Sequence, residues 1–145
     1  MTDWTKHLAT LKAYISQDFD EYDRLREELG PRAIGNEYTA VVAAGFIAAV
    51  RERFGSDPKV SDITTLVAET RAISPSIASD LDPRTAERLI MAVTHGENID
   101  DIDPRTVVSH EIALIAAMLR DLDMTEPAID DFLEKVQAII DETLG

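Results

Sequence analysis

Between Tyr38 and Val50 the sequence has no charged side chain, and this stretch lies inside a longer one, Asn36 to Phe54, that is apolar on every side of a helix. Its large residues, Tyr38, Val41, Val42, Phe46, Ile47, Val50 and Phe54, are interleaved with Ala40, Ala43, Ala44, Gly45, Ala48 and Ala49, which let neighbouring backbones approach closely. A helix apolar all round is stable only when other elements surround it. Asn36 is a suitable N-cap, and polar residues return at Arg51, Glu52 and Arg53. The uncharged stretch is too short to cross a bilayer, which takes about 20 apolar residues. The rest of the chain must therefore cover it.

The covering segments are themselves helical in pattern. Over 3–29, Trp4, Leu8, Leu11, Ile15, Tyr22, Leu25 and Leu29 follow a 4-3 spacing on one stripe, interrupted at Asp18, where Phe19 is apolar instead. Thr2 or Asp3 can cap this helix, and Gly30-Pro31 is expected to end it. One helix of that length is a rod of roughly 40 Å, so it either runs the length of the domain or bends. Gly55-Ser56-Asp57-Pro58 is the clearest turn, and Ser61 is expected to cap a helix carrying Ile63, Leu66, Val67 and Ile73 until Ser74-Pro75 stops it. A short helical turn can follow over 75–79.

Asp82-Pro83 and Asp103-Pro104 each open a helix with Asp as cap and Pro in the first turn. The shared tetrapeptide Asp-Pro-Arg-Thr is a common helix start rather than an internal repeat, since the residues after it diverge. Those helices carry Ala86, Leu89, Ile90 and Val93, then Val108, Ile112, Ile115, Leu119 and Leu122. A last helix starts at Thr125, tolerates Pro127, and carries Ile129, Phe132, Val136 and Ile140. No segment alternates convincingly with period two. The expectation is one all-α domain over 1–145, a bundle of six or seven helices around the central helix at about 37–54.

Charge limits function more than fold. The net charge is −14, and residues 96–145 hold thirteen acidic against three basic side chains, whereas 31–95 are nearly balanced. Phosphate backbones are held by clustered Lys and Arg, which no segment has, so direct nucleic-acid binding and anionic membrane binding are not expected. The absence of cysteine removes disulfides, thiolate zinc sites and cysteine nucleophiles, and with no signal-like leader it points to the cytoplasm.

Catalytic patterns are sparse. His7 lies beside the first stripe, His95 ends the helix from Pro83, and His110 falls on the polar side of the helix from Pro104. None has a second ligand at i+3 or i+4, so no metal and no cofactor is expected. The loop Glu97–Asp103 lacks the alternation and turn Gly of a calcium loop. There is no Gly-x-Ser-x-Gly and no glycine-rich phosphate loop.

The leading expectation is a non-enzymatic interaction domain whose acidic C-terminal face, Asp100, Asp101, Asp103, Asp121, Asp123, Asp130 and Asp131, engages a basic protein partner. Two alternatives stand beside it: a small enzyme or metal protein built on the histidines and nearby carboxylates, and an acidic inhibitor that imitates nucleic acid. The first helix is also a candidate homodimer interface through Trp4, Leu8, Leu11, Tyr14, Phe19 and Tyr22, against the plainer expectation that the stripe packs within the chain.

Overall fold

The two Asp-Pro starts form as their chemistry requires. In the computed structural model of the chain, Asp82 Oδ2 accepts from the Thr85 N–H and Asp103 Oδ1 from the Arg105 N–H, both at 2.8 Å. Each carboxylate thus takes up an amide that a first helical turn leaves without an intrahelical partner. The structure describes residues 4–33, 36–55, 57–122 and 124–144, without the side chains of 29–33, 36, 121 and 144. The chain is all-α, with eight helices and no strand among the described residues: α1 (Thr5–Ile15), α2 (Phe19–Ala33), α3 (Asn36–Phe54), α4 (Val60–Arg71), α5 (Pro75–Asp80), α6 (Pro83–His95), α7 (Pro104–Asp121) and α8 (Glu126–Leu144).

The helix expected over 3–29 is two helices. Apolar spacing continues through the break, but the backbone closes α1 with a Schellman pair: Asp18 N–H donates to Ala13 O at 2.9 Å and Gln17 N–H to Tyr14 O at 3.1 Å. The residue that turns the chain is Gln17, left-handed at φ 61°, where glycine is usual. Asp18 then caps α2, its Oδ1 accepting from the Glu21 N–H at 3.3 Å. Gly30-Pro31 does not end α2, which runs on to Ala33; a proline so near a helix end removes only one backbone bond. Thr2 and Asp3, expected as caps, lie outside the described residues.

Other boundaries shift by a residue or two. α4 starts at Val60 rather than after Ser61, because Asp62 Oδ2 reaches back to the Lys59 N–H at 3.3 Å. The short turn after Ser74-Pro75 is α5, capped by Ser74 Oγ on the Ile77 N–H. Its far end is held by Arg71, whose Nε donates to Leu81 O and Nη2 to Ala78 O, each at 2.9 Å. α6 stops at Gly96, left-handed at φ 72°, and α8 is preceded by Thr125, whose Oγ1 accepts from the Ala128 N–H at 3.4 Å.

The chain divides into two compact units, Met1–Ala48 with Asp123–Gly145, and Ala49–Leu122; the boundary falls inside α3. In the first, α1 packs on α2 and α8, and its buried residues include Leu11, Leu25, Phe46, Phe132, Val136 and Ile140. Tyr14 packs against Tyr22 with the rings tilted by 49° and their centres 5.4 Å apart, and the Tyr22 and Tyr38 hydroxyls are 3.1 Å apart. In the second, α4 packs on α5, α6 and α7, and α6 on α7, with Ile63, Leu66, Leu89, Ile90, Leu114 and Met118 buried. α3 is buried on most sides, as its composition requires: Val41, Val42, Ala49 and Val50 are wholly inaccessible.

A left-handed non-glycine residue costs roughly 1–2 kcal/mol, part of which glycine returns through its unfolded-state entropy. Gln17→Gly should therefore stabilise the protein by about 0.5–1 kcal/mol, whereas Asp18→Ala, which removes the α2 cap, should cost about 1 kcal/mol. Urea denaturation of the two variants checks the turn; equal and opposite-signed results to these would contradict it.

Candidate functional site

The turn between α1 and α2 shapes a groove in the first unit. Ser16, Gln17 and Asp18 leave α1 beside the start of α8, and an open depression of about 670 Å³ remains between them. Its volume lies within the roughly 300–1,000 Å³ of ordinary ligand sites. Ala9 and Ala13 are small enough to leave the space, and Ile15, Leu25, Met124 and Ile129 complete an apolar lining. Asp18, Glu21, Glu126 and Lys12 stand in the same lining as its charged members.

Those charges are ordered by ion pairs. Lys12 Nζ is 2.8 Å from Asp130 Oδ1 and 3.9 Å from Glu126 Oε1, which ties α1 to α8. The hydrogen bond that Lys12 donates to Asp130, and then the charge of Asp130, push the Lys12 ammonium above its usual range. Glu21 pairs with Arg24, which holds its carboxyl below the usual range, and Arg24 reaches Glu28 at 3.0 Å. The lining therefore has three carboxylates against one lysine, and that lysine already faces Asp130.

The acids expected to form one C-terminal face do not share a unit. Asp130 and Asp131 belong to the first, Asp100, Asp101 and Asp103 to the second; Asp123 and the side chain of Asp121 lie outside the described residues. Asp101 is clamped by Arg88, whose Nη1 and Nη2 meet its two oxygens at 2.9 and 2.7 Å. The same guanidinium donates to Asn98 O at 2.8 Å and lies 3.5 Å from Glu97. This bidentate contact pulls the Asp101 carboxyl down to about 2. Asp103 is the α7 cap, so two of the three aspartates of this loop serve the fold. Asp100 is exposed.

The candidate dimer residues are partly enclosed by their own chain. Leu11 is only 2% exposed, and Trp4, Leu8, Tyr14 and Tyr22 are half-buried. Trp4 lies beside the His7 ring, and Tyr14 beside Phe19 and Tyr22. Phe19 alone among the six is largely exposed, at 53%.

His95 ends α6 as expected, whereas His110 sits differently from expectation. His110 is buried rather than on a polar face, because α7 is covered there and both ring nitrogens find backbone partners. Nδ1 is 2.9 Å from Thr106 O, and Nε2 accepts from the Asp82 N–H at 3.1 Å. A carbonyl on one side and an amide on the other fix the ring proton on Nδ1. His7, 2% exposed, meets Glu37 through Nε2 at 3.0 Å, while its Nδ1 is buried without a partner among the described residues. His95 is exposed at the end of α6, its Nδ1 2.7 Å from Thr94 Oγ1. Among the described residues no group of three or more His, Asp or Glu could hold a metal ion, and no helix is long and apolar enough to cross a membrane.

One ionisable residue escaped the sequence reading. Glu111 on α7 is 7% exposed and has no hydrogen bond or ion pair with a described residue; burial raises its carboxyl to about 7. The clue was its position one turn before Leu114 and Ile115, on an otherwise apolar face. Comparison with family models, with curated proteins and with solved structures finds no match for the chain.

A raised carboxyl pKa contributes stability that is complete below its ordinary value of 4.5 and is lost as pH rises through about 7. The protein should accordingly lose about 3 kcal/mol over that window relative to Glu111→Gln, which has nothing to ionise. Urea denaturation of both proteins from pH 4.5 to pH 8 measures the difference; parallel curves would contradict it. In Arg88→Ala the Asp101 carboxyl should titrate upward from about 2 toward 3.8, as followed by carbon-detected NMR.

Proposed function

We propose that the chain is a non-enzymatic, cytoplasmic interaction domain that engages a basic protein partner through exposed carboxylates. The observation that carries this reading is the outer surface of α8. Phe132, Val136 and Ile140 are buried on one side of the helix, and Asp131, Glu134, Asp141 and Glu142 are exposed on the other, with Lys135 as the one base among them. At 100° per residue the two sets lie opposite each other, so the apolar side anchors the helix and the acidic side faces water. Asp130 flanks this ridge and turns toward Lys12. Together with Asp18, Glu21 and Glu126, these residues make the first unit a concentrated source of negative potential, which raises encounter rates with cations and repels anions.

The cysteine-free composition supports the cytoplasmic part of the reading. The engagement of both His110 nitrogens by backbone supports the non-enzymatic part. Relative to the whole C-terminal third, the proposal rests on the acids of the first unit, because Asp101 is held by Arg88 of α6 and Asp103 caps α7.

The test is a titration of the full chain with a lysine-rich peptide at low and moderate salt. Binding should weaken about tenfold or more as salt rises, and the variant Asp131→Asn, Glu134→Gln, Asp141→Asn, Glu142→Gln should bind several-fold more weakly at low salt. Unchanged affinity in that variant would overturn the role of the ridge, and absence of binding at low salt would overturn the proposal.

A further inference from the structure

We infer that the groove between the α1–α2 turn and the start of α8 is a docking site for a segment of a partner protein that presents a large apolar side chain between lysines or arginines. The inference rests on the basic-partner reading and specifies where and by what chemistry the partner is held.

Three observations converge on it. The space is real and open, about 670 Å³, and it exists because Ala9 and Ala13 stand where larger residues would fill it. In its apolar lining Leu25 and Ile129 are buried, whereas Ile15 and Met124 are partly exposed and offer hydrocarbon whose burial is favourable. Met124 in particular adapts its shape to what it meets. Asp18 and Glu126 are exposed members of the same lining, and Glu21 stands beside them paired with Arg24, so an incoming apolar group meets two exposed carboxylates at its rim.

These features select the occupant. A purely cationic ligand would satisfy the carboxylates and leave the apolar lining in water. A purely apolar one would desolvate carboxylates without pairing them, which is costly. A second copy of this chain brings −14 to a negative rim and is repelled. An apolar anchor flanked by cations uses both parts, with the anchor setting affinity and the rim setting specificity and approach. Lys12 does not oppose this, since Asp130 already faces it at 2.8 Å.

The experiment uses the full chain and two lysine-rich peptides of equal length and charge, one with leucine at its centre and one with serine there. The leucine peptide should bind about tenfold tighter, and it should shift the amide NMR signals of Ala9, Ala13 and Ile129. Ala9→Phe, which fills the groove from a half-buried position, should erase the preference for leucine. Should Ala9→Phe fail to fold by circular dichroism, Asp18→Asn with Glu126→Gln keeps both helix starts and should weaken the leucine peptide several-fold. Equal affinity for the two peptides, or shifts confined to the outer ridge of α8, would overturn the groove while leaving the charge reading intact. Loss of all binding to either peptide would overturn both. A dimer in sedimentation that Ala9→Phe dissolves would assign the groove to a second copy and overturn the inference.

Discussion

Every α-helix begins with amide N–H groups that have no partner along the helix, and a chain made of helices alone must find acceptors for them at each start. This protein meets that demand largely with acid. Asp18, Asp82 and Asp103 each accept an amide of the turn that follows, and Asp62 reaches back to the Lys59 N–H. Asp20, Glu21, Glu37, Asp62 and Glu126 occupy first turns, where the helix dipole favours negative charge. A good part of the acidity is thus a consequence of building many short helices. An acid that serves a helix start bears on recognition as well where it stays exposed, as Asp18 and Glu126 do, and in the described residues many exposed acids lie on α2 and α8.

The most consequential of these starts is at Asp18. Closing α1 at Ser16 and restarting at Phe19 sends α2 back along α1, and the same turn sets the edge of the groove. Gln17 adopts a left-handed conformation there without the glycine that would make it easy. The hydrogen bonds from Gln17 and Asp18 back to Tyr14 and Ala13, and the packing of Tyr14 on Tyr22 across the turn, are what hold it. Local strain is sustained by contacts made on both sides.

This turn also marks where sequence reading reached its limit. Helix starts at 82, 103 and 125 were legible because Asp-Pro and Thr combine a cap with a residue that cannot donate, and α3 was legible because nothing polar interrupts it. The break at 16–18 was not, since it has neither Gly nor Pro and the apolar spacing runs through it; Asp18, a good N-cap residue inside the stripe, was the overlooked signal. An acidic C-terminal face could be counted from the sequence, but its division between two units and the pairing of Asp101 with Arg88 depend on contacts across thirteen residues of chain. The groove was invisible for a different reason: Ala9 and Ala13 read as filler in an apolar stripe, and only packing reveals which small residues leave space.

His110 and Glu111 show how differently adjacent polar residues can be treated once buried. The imidazole has a donor and an acceptor that match an amide and a carbonyl, so it closes two backbone valences and links the start of α6 to α7. The carboxyl beside it, a helical step of about 100° away, finds neither among the described residues. It can stay uncharged only by holding its proton, and near neutral pH that proton is half lost. The imidazole therefore adds to the fold at a buried position, whereas the carboxyl detracts from it wherever it ionises. Exposed acids carry no such penalty. The same residue type stabilises at helix starts and destabilises in the interior, and the difference is set by whether an N–H is within reach.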